Sequence, residues 1–139
     1  MQGKFRPEEQ NIAEILGRTR PYEVPLFQRE YSWEKDKIES FWDDLITNHK
    51  KCNNLTDTSE ENEYYFGSMV FVKIPNQHII TLVDGQQRFA TVTTLLCVVR
   101  DILFHITKSE ASEEIKQSSI QVQTYISNYI ERTDDEGVH

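Results

Sequence analysis

Two short polar blocks break an otherwise apolar pattern, and both are built from residues able to hold an anion. The first is Asp84-Gly85-Gln86-Gln87-Arg88, set between the apolar residues 79–83 and a long apolar stripe that begins at Phe89. A strand-to-helix junction there would leave the first helical N–H groups without acceptors, and those donors plus the helix dipole favour an anion. Gly85 lets the backbone turn tightly and approach a ligand with no Cβ in the way. Gln86 and Gln87 add amides that donate or accept, and Arg88 adds a planar fork of donors suited to phosphate oxygens. Asp84 has two uses in such a site: holding a Mg²⁺ that bridges phosphates, or positioning a water. A plainer reading makes Asp84-Gly85 a turn, with Asp84 capping the helix and Arg88 paired to a distant acid.

The second block is Gln28-Arg29-Glu30-Tyr31-Ser32-Trp33, just ahead of a helix. Arg29 near a positive helix end is awkward unless an anion also sits there. Gln28 and Arg29, flanked by Phe27 and Tyr31, are costly to bury unpaired and so are candidates for binding. Tyr31 either stacks on a ligand or packs inside, whereas Trp33 reads as a staple between the first helical turn and the core.

The elements that must position these blocks follow from periodicity. Pro7-Glu8-Glu9 reads as a helix start, with Ile12, Ile15 and Leu16 as its stripe and Gly17 as its stop. Tyr22 and Val24 before Pro25 suggest a short extended edge segment. Ser32 can cap a helix carrying Ile38, Phe41, Trp42, Leu45, Ile46 and His49 on one face. Residues 50–63 are polar and aperiodic and read as a surface loop. Residues 64–74 and 78–83 read as strands joined by the turn Pro75-Asn76-Gln77, hence a hairpin. Phe89, Val92, Leu95, Leu96, Val99, Ile102, Leu103 and Ile106 then fall on one helical face. After residue 109 the pattern fits a helix, though Ile120-Gln121-Val122 also fits a strand. The expected fold class is α+β: a small mixed sheet with a hairpin, covered by amphipathic helices, with Phe41, Trp42, Leu45, Leu95, Leu96 and Leu103 in the core.

The chain has 139 residues, 37% hydrophobic and 27% charged, as expected of one ordinary globular domain rather than a disordered chain. No unbroken apolar run approaches the ~18 residues of a membrane helix, and nothing at the N-terminus reads as a signal peptide. Cys52 and Cys97 make neither a disulfide framework nor metal-ligand spacing, and Cys97 reads as buried. His49, His78, His105 and His139 have no zinc spacing, and His49 and His105 read as residues at the edge of the core. The expectation is a reduced, cytoplasmic protein with no membrane partner. The net charge of −8 argues against nucleic acid until its distribution is considered: residues 53–63 carry −4 and residues 109–139 carry −5, which leaves +1 elsewhere. No Ser-His-Asp set, Walker loop or dinucleotide fingerprint is present.

Three blocks in order carry a family resemblance. Val24-Pro25-Leu26-Phe27-Gln28-Arg29-Glu30-Tyr31-Ser32-Trp33, Tyr65-Phe66-Gly67-Ser68-Met69-Val70 and Val83-Asp84-Gly85-Gln86-Gln87-Arg88 resemble the N-terminal domain of GmrSD-type restriction enzymes, over about residues 8–106. The resemblance implies a ParB/sulfiredoxin-like α+β fold that binds and hydrolyses a nucleoside triphosphate, GTP or ATP with Mg²⁺. It also implies coupling of nucleotide to DNA cleavage by a C-terminal nuclease, so that DNA is met through the full-length protein. Carried over, Asp84 and Arg88 are catalytic, with Asp84 on the metal. Gly85, Gln86, Gln87 and Arg88 bind phosphate, and Gln28, Arg29 and Tyr31 form the second wall. Residues 1–108 would be the nucleotide-binding domain and 109–139 the start of a helical region of a longer protein. The family's Leu-Thr-Thr after the Arg is Phe89-Ala90-Thr91 here, which puts a contact at position 90 in doubt. No His-Asn-His-like cluster occurs, and the motif has no cysteine for sulfiredoxin chemistry. A binding module without turnover, and an adaptor using the acidic segments, stand as rival readings; self-association is left open.

Overall fold

The computed structural model describes residues 7–17, 20–53 and 64–130. The elements run α1 (Ile12–Leu16), β1 (Tyr22–Glu23), α2 (Lys35–Asn53), β2 (Val70–Lys73), β3 (Ile80–Asp84), α3 (Gln86–Thr107) and α4 (Glu113–Ile130). The class is α+β, as expected. Two compact units form, one of residues 22–92 and one of residues 1–21 with 93–139.

In the 22–92 unit the sheet order is β1-β3-β2. β1 lies parallel to β3, and β2 and β3 form the expected antiparallel hairpin. Central β3 supplies the innermost side chains, Ile80 and Leu82, at 1% and 0% exposure. The turn between the strands places Asn76 at φ 67°, and the Gln77 N–H donates to the Ile74 carbonyl at 3.1 Å. The first strand is shorter than the β-branched pattern predicts. Gly67, at φ 98°, breaks the extended run, and pairing starts only at Val70. Tyr22, Phe71 and Phe89 pack their rings together, with centroids 5.4, 5.1 and 6.2 Å apart, which fastens the first turn of α3 to the sheet.

Helix α2 begins later and ends later than its pattern predicts. The Lys37 and Ile38 N–H groups both donate to the Glu34 carbonyl, so Ser32 lies outside the helix and does not cap it. Residues 50–53 are helical rather than loop, with Lys50 and Lys51 favouring the negative helix end; residues 54–63 of the expected loop lie outside the described residues. Phe41 is buried against Trp33 and Phe66, as a stapling role for Trp33 requires. Trp42, expected in the core, is 48% exposed, because Phe41 one step round the helix takes the inward position.

In the other unit, α1 starts at a capping box rather than at Pro7. Asn11 Oδ1 accepts from the Glu14 N–H, and the Glu14 carboxylate accepts from the Asn11 N–H, both at 2.9 Å. Gly17 ends it beside the Tyr129 ring, where a Cβ would stand 3.2 Å from that ring and 2.8 Å from the Ala13 carbonyl oxygen. Ile15 and Ile126 are the buried apolar residues of α1 and α4, and Glu113–Ile130 is helix rather than strand. The Tyr129 hydroxyl donates to that of Tyr125 at 3.2 Å, and this bond holds its pKa above the ordinary value. Ile102 and Val98 of α3 are exposed, so its apolar residues do not all face inward; Cys97 is half-buried, and His49 and His105 are exposed. By length and composition α3 would be able to cross a membrane. The unbroken-run criterion misses this because Thr91, Thr93, Thr94, Arg100 and Asp101 interrupt the apolar residues.

Candidate functional site

β3 ends at Asp84 and α3 begins at Gln86, so Gly85 makes the whole turn between them, at φ 89°. A Cβ on Gly85 would lie 2.7 Å from Met69 Cγ and 3.1 Å from Met69 Cα. Both conformation and space therefore require glycine. The Phe89 N–H donates to the Gly85 carbonyl at 3.0 Å, which makes Gly85 the N-cap and leaves the N–H groups of Gln86, Gln87 and Arg88 with no acceptor inside the helix. The cap is thus not Asp84. Its side chain is exposed and makes no hydrogen bond or ion pair among the described residues.

Arg88 pairs with no acid among the described residues. Its Nη1 donates to the Ser68 carbonyl at 3.1 Å, and its guanidinium lies against the backbone of Gly67. A Cβ at Gly67 would stand 2.9 Å from Arg88 Nε. The Tyr65-Phe66-Gly67-Ser68-Met69-Val70 block is therefore a cradle: Gly67 and Ser68 seat the Arg88 side chain, and Met69 packs on Gly85. Ahead of it, burial and the nearby Asp44 carboxylate raise the pKa of the Tyr64 hydroxyl.

The two polar blocks meet. β1 pairs with β3 only as far as Thr81, and beyond that point Gln28 Nε2 donates to the Val83 carbonyl at 2.7 Å. Gln86 Nε2 donates to the Arg29 carbonyl at 2.7 Å. Gln87 Nε2 donates to the Glu30 carbonyl at 3.0 Å, and its Oε1 accepts from the Ser32 N–H at 2.8 Å. The Tyr31 hydroxyl lies 2.9 Å from Thr91 Oγ1, and Thr91 spends its own proton on the Gln87 carbonyl at 2.8 Å, so Tyr31 is the donor. Every predicted site residue is thus brought to the start of α3. Sequence reasoning missed Ser32, Gly67, Ser68, Met69 and Thr91; the middle block carried a resemblance but no assigned role. Ala90 is exposed, so the absent threonine there removes no internal contact.

The side-chain NH₂ groups of Gln28, Gln86 and Gln87 are occupied by main-chain carbonyls. What remains for a ligand is the exposed Asp84 carboxylate, the exposed Arg29, the partly buried Arg88 and the N–H groups of the first turn of α3, which have no acceptor inside the helix. Arg29 also borders a shallow polar cavity of about 270 Å³ with Trp33, Asp36 and Lys37. Among the described residues no three His, Cys, Asp or Glu side chains cluster as a metal site. A Mg²⁺ carried on phosphates needs only one or two protein carboxylates, and Asp84 fits that demand. Gln86 Oε1 is buried with no partner among the described residues, an acceptor suited to a water or a hydroxyl.

The family model for the N-terminal domain of GmrSD restriction endonuclease matches residues 12–137, further along the chain than the three blocks reach and past the end of α4. No curated protein matches the chain.

Proposed function

Because the chain belongs to the GmrSD N-terminal domain family, and so is a module of a restriction or defence protein, we propose that it binds and hydrolyses a nucleoside triphosphate at the start of α3. The observation that carries this reading is the juxtaposition of Asp84, an exposed carboxylate with no partner among the described residues, with the uncapped N–H groups of the first turn of α3 and a seated guanidinium, Arg88. Phosphate oxygens would be met by the N–H groups of Gln86, Gln87 and Arg88, by the Arg88 side chain and by Arg29. Charge developing on the transferred phosphoryl group would be stabilised by those same donors, of which the helix N–H groups and the seated Arg88 are held before the ligand arrives. Mg²⁺, held by Asp84, would neutralise charge between the phosphates. In the alternative use of Asp84, its carboxylate orients the attacking water and takes up its proton. Under this reading GTP or ATP is the nucleotide, DNA is engaged through the full-length protein and its C-terminal nuclease, and the module works in the cytoplasm.

Asp84→Asn keeps the size of the side chain and removes its charge. Phosphate release from MgGTP or MgATP is expected from the wild type and not from this variant, and equal release from both would contradict the assignment. One observation favours a second reading. Asp84 is the only carboxylate in the 83–88 block, and no three-ligand cluster supports it among the described residues. A binding module without turnover would keep saturable nucleotide binding and release no phosphate. A module gripping DNA phosphates would instead bind duplex DNA with steep salt dependence and bind no nucleotide.

A further inference from the structure

We infer that Gln87 is a positioning residue, whose amide locks the main chain on both sides of Tyr31 and so holds Arg29 at the start of α3. The inference rests on the reading of that helix start as the nucleotide site. Gln87 is 6% exposed, and both ends of its amide are in use. Its two bonds reach the Glu30 carbonyl and the Ser32 N–H, the groups that flank Tyr31. A residue on a neighbouring parallel strand bonds the same pair of groups. The side chain therefore stands in for a strand where the sheet has none.

The segment it holds has little else to fix it. Among the described residues, its one bond between main-chain groups is the turn bond from the Gln28 N–H to the Pro25 carbonyl. The remaining grip consists of Gln28 on Val83, Gln86 on Arg29, and Tyr31 on Thr91. Thr91 in turn is anchored to the Gln87 carbonyl, so Gln87 takes part at both its main chain and its side chain. A ligand cannot use the Gln87 amide without breaking this lock, and the residue that benefits is Arg29, whose carbonyl is fixed and whose guanidinium is exposed.

The neutral amide donates to Glu30 and accepts from Ser32 at once, which a charged carboxylate cannot do. In Gln87→Glu a carboxylate would face the Glu30 carbonyl, whereas the protonated acid can still donate to it. Burial and that carbonyl raise the pKa of the introduced acid. The lock is therefore present below the raised pKa and lost as pH rises through it.

The test combines amide hydrogen exchange with MgGTP and MgATP titration of the intact chain. In the wild type the Ser32 amide should be protected although it lies in neither helix nor strand. Gln87→Ala should speed its exchange and weaken nucleotide binding, each by about tenfold, while β3 amides keep their protection. Gln87→Glu should bind like the wild type at low pH and like Gln87→Ala at high pH, a profile that simple loss of packing would not give. An unprotected Ser32 amide in the wild type overturns the lock whatever the nucleotide does. Lost protection with unchanged nucleotide affinity overturns the positioning role. Protection with no nucleotide binding by the wild type overturns instead the nucleotide reading and the positioning role built on it.

Discussion

A methyl group at Gly67 would stand 2.9 Å from Arg88 Nε and 3.1 Å from its Cζ, on a backbone already at φ 98°. Gly67→Ala is therefore expected to displace Arg88 and to cost about 1–3 kcal/mol in backbone strain. Denaturant unfolding and nucleotide titration on the same sample would record both effects. At Asp84 the expectation is different, because its exposed carboxylate supports no internal contact among the described residues. Asp84→Asn should leave the melting temperature unchanged and lower phosphate release by about a hundredfold or more. The chemical types at this scale were legible in the sequence: Asp84 and Arg88 stand out as polar groups between two apolar runs. The use made of the glutamines was not. Their partners lie 55 to 57 residues away, and an amide looks the same in a sequence whether it will meet a phosphate or a main-chain carbonyl.

At the level of elements, β3 is the piece that fixes the site, since it ends at Asp84 and carries the two most buried side chains. Leu82→Ala removes a fully buried leucine beneath that end and should destabilise the fold by about 2–5 kcal/mol, measured by urea unfolding. Asn11→Ala removes half of the α1 capping box and should cost only about 1 kcal/mol, with nucleotide binding unaffected. The hairpin, the edge strand and the long helices were readable from periods of two and of three to four residues. Element ends were harder to read. Acids after Pro7 suit a helix start, yet the reciprocal Asn11 and Glu14 bonds set the true one; a strand-like run from 64 fails because Gly67 turns the backbone away. Helix α3 gains its first turn from the polar motif itself, so the residues that interrupt the apolar pattern are also those that begin the helix.

For the whole molecule, the acidity is concentrated in residues 53–63 and 109–139, and the remainder carries +1. Within the 22–92 unit most of the acidity lies in residues 53–63 and its other residues sum to −1, so an anion site there is compatible with a net charge of −8. The family match spans residues of both compact units, so the intact chain is the object to assay. The most direct test is calorimetric titration of that chain with GTP and ATP, with and without Mg²⁺, against Arg88→Ala. Unfolding curves of both proteins would establish that the variant is folded. Saturable, Mg²⁺-dependent binding by the wild type, weakened by about tenfold or more in the variant, is the expected result. Equal binding by both proteins, or none by a cooperatively folded wild type, would contradict a nucleotide site at the start of α3.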